Sequence, residues 1–119
     1  MTWHGRPVDW NTQQHEPLLD GITAATAMGE QLSVSRFALA ADAVVPEHSH
    51  AAEEFGQVLA GSLRLTVDGD TWTVDAGQGF LIRGGVPHSA LALGDGCDLL
   101  ECYSPPRSPV PPRPQEGTP

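Results

Sequence analysis

The run His48-Ser49-His50-Ala51-Ala52-Glu53-Glu54-Phe55-Gly56-Gln57-Val58-Leu59-Ala60-Gly61 decides how the rest of the chain is read. Side chains two apart on an extended strand point to the same face, so the imidazoles of His48 and His50 can meet one ion. Glu54 follows four residues after His50 and adds a hard oxygen to the two nitrogens. Glu53 is adjacent, and a bulge would exchange the faces of the two carboxylates, so either can be the oxygen ligand on this pattern. Gly61 closes the run at an expected turn. A second run, Gly77-Gln78-Gly79-Phe80-Leu81-Ile82-Arg83-Gly84-Gly85-Val86-Pro87-His88, ends in another histidine directly after a turn sequence. Together the two runs offer three nitrogens and one oxygen.

Neutral imidazole suits iron, nickel, copper and zinc, and a carboxylate favours harder ions such as manganese, so the set predicts one divalent transition metal, with iron, manganese, zinc, nickel and cobalt as the candidates. Four ligands in an octahedron leave two adjacent positions for water, oxygen or a bidentate substrate. A metal held this way polarises a carbonyl or hydroxyl oxygen or acidifies a bound water. The alternative is a closed structural zinc site, which is usually tetrahedral and richer in cysteine.

Around these runs the sequence reads as strand after strand. Gly21 to Met28 is small and β-branched. Gln31 to Ala40 alternates, with Leu32, Val34, Arg36 and Ala38 on one face and Ser33, Ser35, Phe37 and Leu39 on the other. Asp42-Ala43 reads as a turn, and Val44-Val45-Pro46 leads into the histidine pair. Phe55 to Leu59 and Ser62 to Val67 are expected as separate strands on either side of Gly61, the second with Leu63, Leu65 and Val67 on its apolar face. Asp68-Gly69 is the strongest hairpin signal, because a tight primed turn needs positive φ. Trp72 and Val74 continue the apolar face on the return strand, and Trp72 is expected in the core. Phe80 to Ile82, His88 to Leu93 and Asp98 to Tyr103 complete eight or nine short strands with a turn every eight to twelve residues. That spacing predicts an all-β sandwich or small barrel.

At 119 residues the chain is one domain with a modest core. Its formal charge is -9, its six cations are all scattered arginines, and it has no lysine, which argues against nucleic acid and anionic membrane as partners. No apolar run approaches a bilayer span and the first residues lack a signal core, so a cytoplasmic location is expected. Cys97 and Cys102 fit neither a disulfide framework nor a zinc spacing and are read as reduced thiols. Residues 1–20 show neither helical nor strand period and are expected to form an arm lying across the domain, residues 21–104, or across a partner subunit. His4 and His15 in that arm are read as solvated or hydrogen-bonded. Residues 105–119 hold seven prolines in fifteen positions and predict a polyproline-like or disordered tail.

His48-x-His50-x3-Glu54-x6-Gly61 resembles the first motif of the cupin superfamily, and Gly79-Phe-Leu-Ile-Arg-Gly-Gly85-Val-Pro87-His88 resembles the second. The resemblance implies a conical β-barrel, a jelly-roll-like pair of antiparallel sheets, with a metal inside on His48, His50, Glu54 and His88. It selects Glu54 over Glu53. Asp42 stands where the family has a glycine six residues before the first histidine, Arg83 where a proline is usual, and Ala92 where an asparagine is expected. The ending Asp98-Leu-Leu-Glu101-Cys-Tyr103-Ser-Pro-Pro-Arg107 is similar to the last strand of small single-domain cupins of pectin and alginate breakdown that linearise unsaturated uronates, with Glu101 in place of their aspartate. That likeness implies a catalytic set of Glu101 as general acid or base, Tyr103 closing the pocket, and Arg107 holding a substrate carboxylate. The implied activity is non-redox isomerisation, ring opening or cyclisation of a sugar acid or hydroxy-carbonyl compound. An iron-dependent dioxygenase and a non-enzymatic ligand-binding cupin are the alternatives, and small cupins of this kind imply a homodimer. Gln57 is a candidate pocket residue by alternation, whereas Arg64 is read as solvated and Cys102 as packing on the face opposite Glu101.

Overall fold

The structure is a computed structural model that describes residues 2–109, so the expected tail lies, from residue 110 onward, outside the described residues. Eight strands follow in chain order: β1 Glu16–Leu19, β2 Ile22–Met28, β3 Ser33–Leu39, β4 Val44–His48, β5 Glu53–Val67, β6 Asp70–Asp75, β7 Gly79–Ile82 and β8 His88–Ser104. Every pairing is antiparallel. Among the described residues no helix is long and apolar enough to cross a membrane.

β5 and β8 organise the barrel because each belongs to both of its walls. The second half of β8 pairs with β3 and with the first half of β5, which in turn pairs with β7. The first half of β8 pairs with β4 and with the second half of β5, which carries β6. The two sheets are therefore continuous through these two strands.

That continuity corrects two expectations. Phe55–Leu59 and Ser62–Val67 are one 15-residue strand, and His88–Leu93 and Asp98–Tyr103 are one 17-residue strand. Gly61 is not a turn. It lies at φ 79° where the β5–β8 register shifts, and a Cβ there would come within 2.0 Å of the Gly96 carbonyl oxygen. A bulge passes the strand from one wall to the other, and only glycine lets the two backbones approach so closely.

Other turns stand as expected. Asp68 and Gly69 both take positive φ between the paired Val67 and Asp70, as a primed hairpin requires. Asp42 also has positive φ, at 67°, so the position where the resemblance implies glycine keeps the left-handed backbone with an aspartate that tolerates it.

The N-terminal arm differs from the expectation at its end, where Glu16–Leu19 forms β1 on β2. Pro17 and the polar neighbours hide this strand from an alternation test, and proline is tolerated there because β1 is the sheet edge. Earlier in the arm the Trp3 N–H donates to the Met28 carbonyl and the Gln13 amide to that of Thr26, so the arm lies along β2 of its own chain.

Inward-facing residues Phe37, Leu39, Val58, Leu63, Leu65, Val74, Ile82 and Leu99 form the core. Trp72 is not among them: it sits on edge strand β6 with 53% of its surface exposed, because no further strand covers it.

Candidate metal centre

His48 ends β4, and the chain crosses through His50 to enter β5 at Glu53. The turn before β8 returns to the same place. Gly85 N–H donates to the His50 carbonyl, and a side chain on Gly84 would strike the Ala51 carbonyl oxygen, so the turn packs flush against the histidine segment. His88 then opens β8 in register with His48.

The result is a cluster in which one nitrogen from each of His48, His50 and His88 lies within 4.8 Å of the others. Each Nδ1 is tied to a backbone carbonyl two residues away: His48 to Pro46 at 2.9 Å, His50 to Ala52 at 2.9 Å and His88 to Val86 at 2.8 Å. With Nδ1–H donating to a carbonyl, Nε2 is the nitrogen that each ring leaves available as a ligand. Nε2 of His50 and of His88 are buried without a hydrogen-bond partner among the described residues. They stand 2.8 and 3.1 Å from one Glu54 oxygen, close but not aligned for a hydrogen bond. Buried polar atoms are almost always satisfied. Three oriented nitrogens and a carboxylate converging without mutual hydrogen bonds fit a divalent cation, and these four side chains are the ones that would hold it.

Glu54 is 2% exposed, whereas Glu53 faces solvent. Burial alone would raise the Glu54 pKa, but its contacts with His88 and Glu101 lower it below the usual carboxylate value. The histidines diverge. His48 is lowered by burial and by its imidazole neighbours, whereas at His88 burial is outweighed by Glu54 and the Val86 carbonyl, which raise it.

Glu101 and Tyr103 point inward from β8 beside this cluster. Register places Glu101 opposite Ser35 and Tyr103 opposite Ser33 on β3, and opposite Gly56 and Glu54 on β5. The Tyr103 hydroxyl donates to Glu101 Oε1. Burial first, then the negative charge of Glu54, pushes Glu101 well above the ordinary carboxyl value. Burial and the same carboxylates push Tyr103 above the usual phenol range, so it stays protonated. The Arg107 guanidinium carbon sits 5.1 Å from the centre of the Tyr103 ring. Glu101, Tyr103 and Arg107 line one cavity of about 270 Å³ together with His48, Glu54 and His88.

Ser33 had no part in the sequence reading of the site. It is fully buried, donates to the Arg107 carbonyl at 2.8 Å and accepts from the Arg107 N–H at 2.9 Å, clasping the backbone that carries the guanidinium. A hydroxyl sharing the face of Phe37 and Leu39 was the available signal. Gln57 does not line the cavity, since it alternates with Phe55 and Leu59 on the outer face while Glu54, Gly56 and Val58 face in. Arg64 is exposed as expected. His4 is exposed and His15 hydrogen-bonds the Trp10 carbonyl, both away from the cluster.

The family model described as "Cupin domain" (Cupin_2) matches residues 35–100, more than half of the chain and all four candidate ligands. The chain is a cupin. Among solved structures, this cupin is similar to KdgF from Halomonas sp., with a TM-score of 0.83 and 20% identity over 88% of this chain and 97% of that one. It is also similar to oxalate decarboxylase from Bacillus subtilis, studied for its Mn(II) centres, with a TM-score of 0.71 and 23% identity over 86% of this cupin and 31% of that chain. In sequence it matches the HTH-type transcriptional regulator PuuR of Escherichia coli (strain K12), 37% identical over 57 residues, which are 47% of this cupin and 31% of the regulator. This cupin thus spans about a third of the length of the curated relatives it matches.

Proposed function

We propose that this cupin is a metal-dependent enzyme that moves a proton on a small hydroxy-carbonyl compound, sugar acids included, so as to isomerise, open or cyclise it. The observation that carries the reading is the position of Glu101, whose carboxyl lines the same cavity as His48, Glu54 and His88 and is oriented by the Tyr103 hydroxyl. A carboxyl fixed beside a metal-ligand set meets the first requirement of a general acid or base. The divalent ion, when bound by His48, His50, Glu54 and His88, supplies Lewis acidity to a substrate carbonyl or hydroxyl oxygen. Glu101 removes a proton from the carbon next to that oxygen and delivers it to a neighbouring atom. Tyr103, protonated throughout, keeps the carboxyl on course. Arg107 takes the substrate carboxylate in a paired contact, and Ser33 holds the backbone from which it reaches. The likeness in fold to KdgF and the ending that resembles uronate-linearising cupins support a sugar acid; the Mn(II) centres of oxalate decarboxylase support a metal.

The sequence match to PuuR favours a second reading, in which the barrel binds a ligand without turning it over. One experiment separates the two. Proton NMR in D2O, run on metal-loaded protein with a panel of 2-oxo and uronic acids, reads exchange or isomerisation at carbon. Turnover by the wild type and its loss by at least about a hundredfold in Glu101→Gln, with metal content unchanged, is the expected result. Equal turnover in both proteins sinks the role of Glu101, and binding without any exchange moves the protein to the second reading. Oxygen uptake in the same samples would instead mark an iron-dependent dioxygenase.

The proposal includes a homodimer. Val34, Cys102, Phe55 and Leu81 form one cross-strand row on the outer face of β3, β8, β5 and β7, with Phe55 and Leu81 at 41% and 71% exposure. Ala27, next in that row on β2, is buried where the arm lies. A second copy packing its own row against this one would continue that cover across the sheet.

A further inference from the structure

The interior of the barrel changes character along its axis. On β3 and β8 the inward pairs run Ser33–Tyr103, Ser35–Glu101, Phe37–Leu99 and Leu39–Cys97. On the other wall β8 and β5 pair His88 with Val67, Ala90 with Leu65 and Ala92 with Leu63. Each wall starts at the titratable cluster and becomes apolar further in, four residues past Tyr103 on one and two past His88 on the other. Phe37, Leu39, Leu63, Leu65 and Leu99 are each at most 6% exposed, yet all face the same cavity as His48, Glu54 and Arg107. The cavity of about 270 Å³ lies just below the about 300–1,000 Å³ usual for ligand sites, which suits a small ligand.

From this gradient we infer that the ligand is a small 2-oxo or 2-hydroxy acid with a branched-alkyl or aryl body, the acid end on the metal and Arg107 and the body among the leucines. This rests on the proposed metal-dependent reading and, within its hydroxy-carbonyl class, favours apolar-bodied acids over the sugar acids that the likeness in fold suggests. A sugar acid carries a hydroxyl on nearly every carbon, and beyond Glu101 the inward pairs present no oxygen or nitrogen side chain to receive them. Hydroxyls placed there would lose their hydrogen bonds to water without replacement. An alkyl or aryl group gains from the same surroundings.

The test compares three probes by isothermal titration, on metal-loaded and on metal-free protein: pyruvate, 2-oxo-4-methylpentanoate and galacturonate. The first two share the chelating head and differ only in the apolar body. 2-Oxo-4-methylpentanoate should bind about ten- to fiftyfold more tightly than pyruvate, with galacturonate weaker than both. Ala90→Leu, which fills the apolar part beside Leu65, should erase that advantage; Ala90→Val serves if the larger side chain prevents folding. Equal affinities for the two oxo acids, or tighter galacturonate, overturn the inference while leaving the metal site standing. A protein that takes up no metal but keeps the preference for the branched acid supports the apolar seat for the body and overturns both the metal-dependent reading and the placement of the acid end on a metal. Metal uptake with no binding of either oxo acid overturns the inference.

Discussion

At the histidine end of β5, β7 and β8 the inner and outer faces depart from the usual partition of residues, although the same strands carry the apolar core further in. Inside, Glu54 and Tyr103 are buried at 2% exposure and Glu101 stands between them; outside, Phe55 and Leu81 face solvent. Burying carboxyls costs stability unless they are paired or ligate a metal, and exposing large apolar side chains forgoes burial that would contribute. Neither face is therefore arranged for the stability of an isolated apo barrel. Under the function proposed above, the inner face serves an ion and its ligand and the outer face a second copy of the chain.

The strongest way to break that contrast is to remove the ion. His50→Ala should abolish stoichiometric metal by elemental analysis, and chelation of the wild type should lower Tm by several degrees, since a ligand present at about a hundred times its Kd contributes about 2.7 kcal/mol. An unchanged Tm with metal demonstrably gone would mean that the buried cluster is stable as it stands. Next in size, Arg107→Ala should raise KM for a carboxylate substrate by about tenfold or more, as expected for a lost charge-assisted pair, with a smaller change in kcat. A fall confined to kcat would place Arg107 at the reacting atoms instead.

How much of this was readable in the residues depends on what each position had to specify. The grouping of His48, His50 and His88 was legible because an H-x-H pair and a glycine turn bring those side chains together, whereas Glu54 was preferred to Glu53 only through the motif resemblance. Asp68-Gly69 was equally plain, since few pairs adopt that turn. Gly61 misled because a positive-φ glycine looks the same in a turn and in a bulge, and only its tertiary neighbour, the Gly96 carbonyl, decides between them. Gln57 misled because both faces of β5 carry apolar residues, so alternation gave two faces without saying which was inner. Ser33 acts on a residue 74 positions away, a relation no local pattern contains.

Outside the barrel, Leu81→Glu should convert a dimer to a monomer in light scattering, with metal content retained. A wild type that is already monomeric would end the reading of the outer row as a contact between copies. The smallest effect sharpens the same contrast through the two thiols. Cys97 faces inward at 4% exposure, and burial together with Asp98 and Glu101 pushes its pKa up to about 11. At pH 8 its thiolate fraction is about one in a thousand, so maleimide should leave it unmodified in every variant. Cys102, in the outer row, should react faster in Leu81→Glu than in the wild type, read by peptide mass.

The sharing of β5 and β8 by both walls also bears on the order in which the protein can be made. Ser33 pairs with Tyr103, and Glu54 with the same tyrosine, so both walls close only when the last strand arrives. Such distant pairings form slowly, because the loop between them must be ordered before any contact rewards it. On the ribosome His48, His50 and Glu54 emerge well before His88 and β8. A nascent chain therefore carries part of the candidate ligand set with nothing to shape it until β8 has emerged and paired.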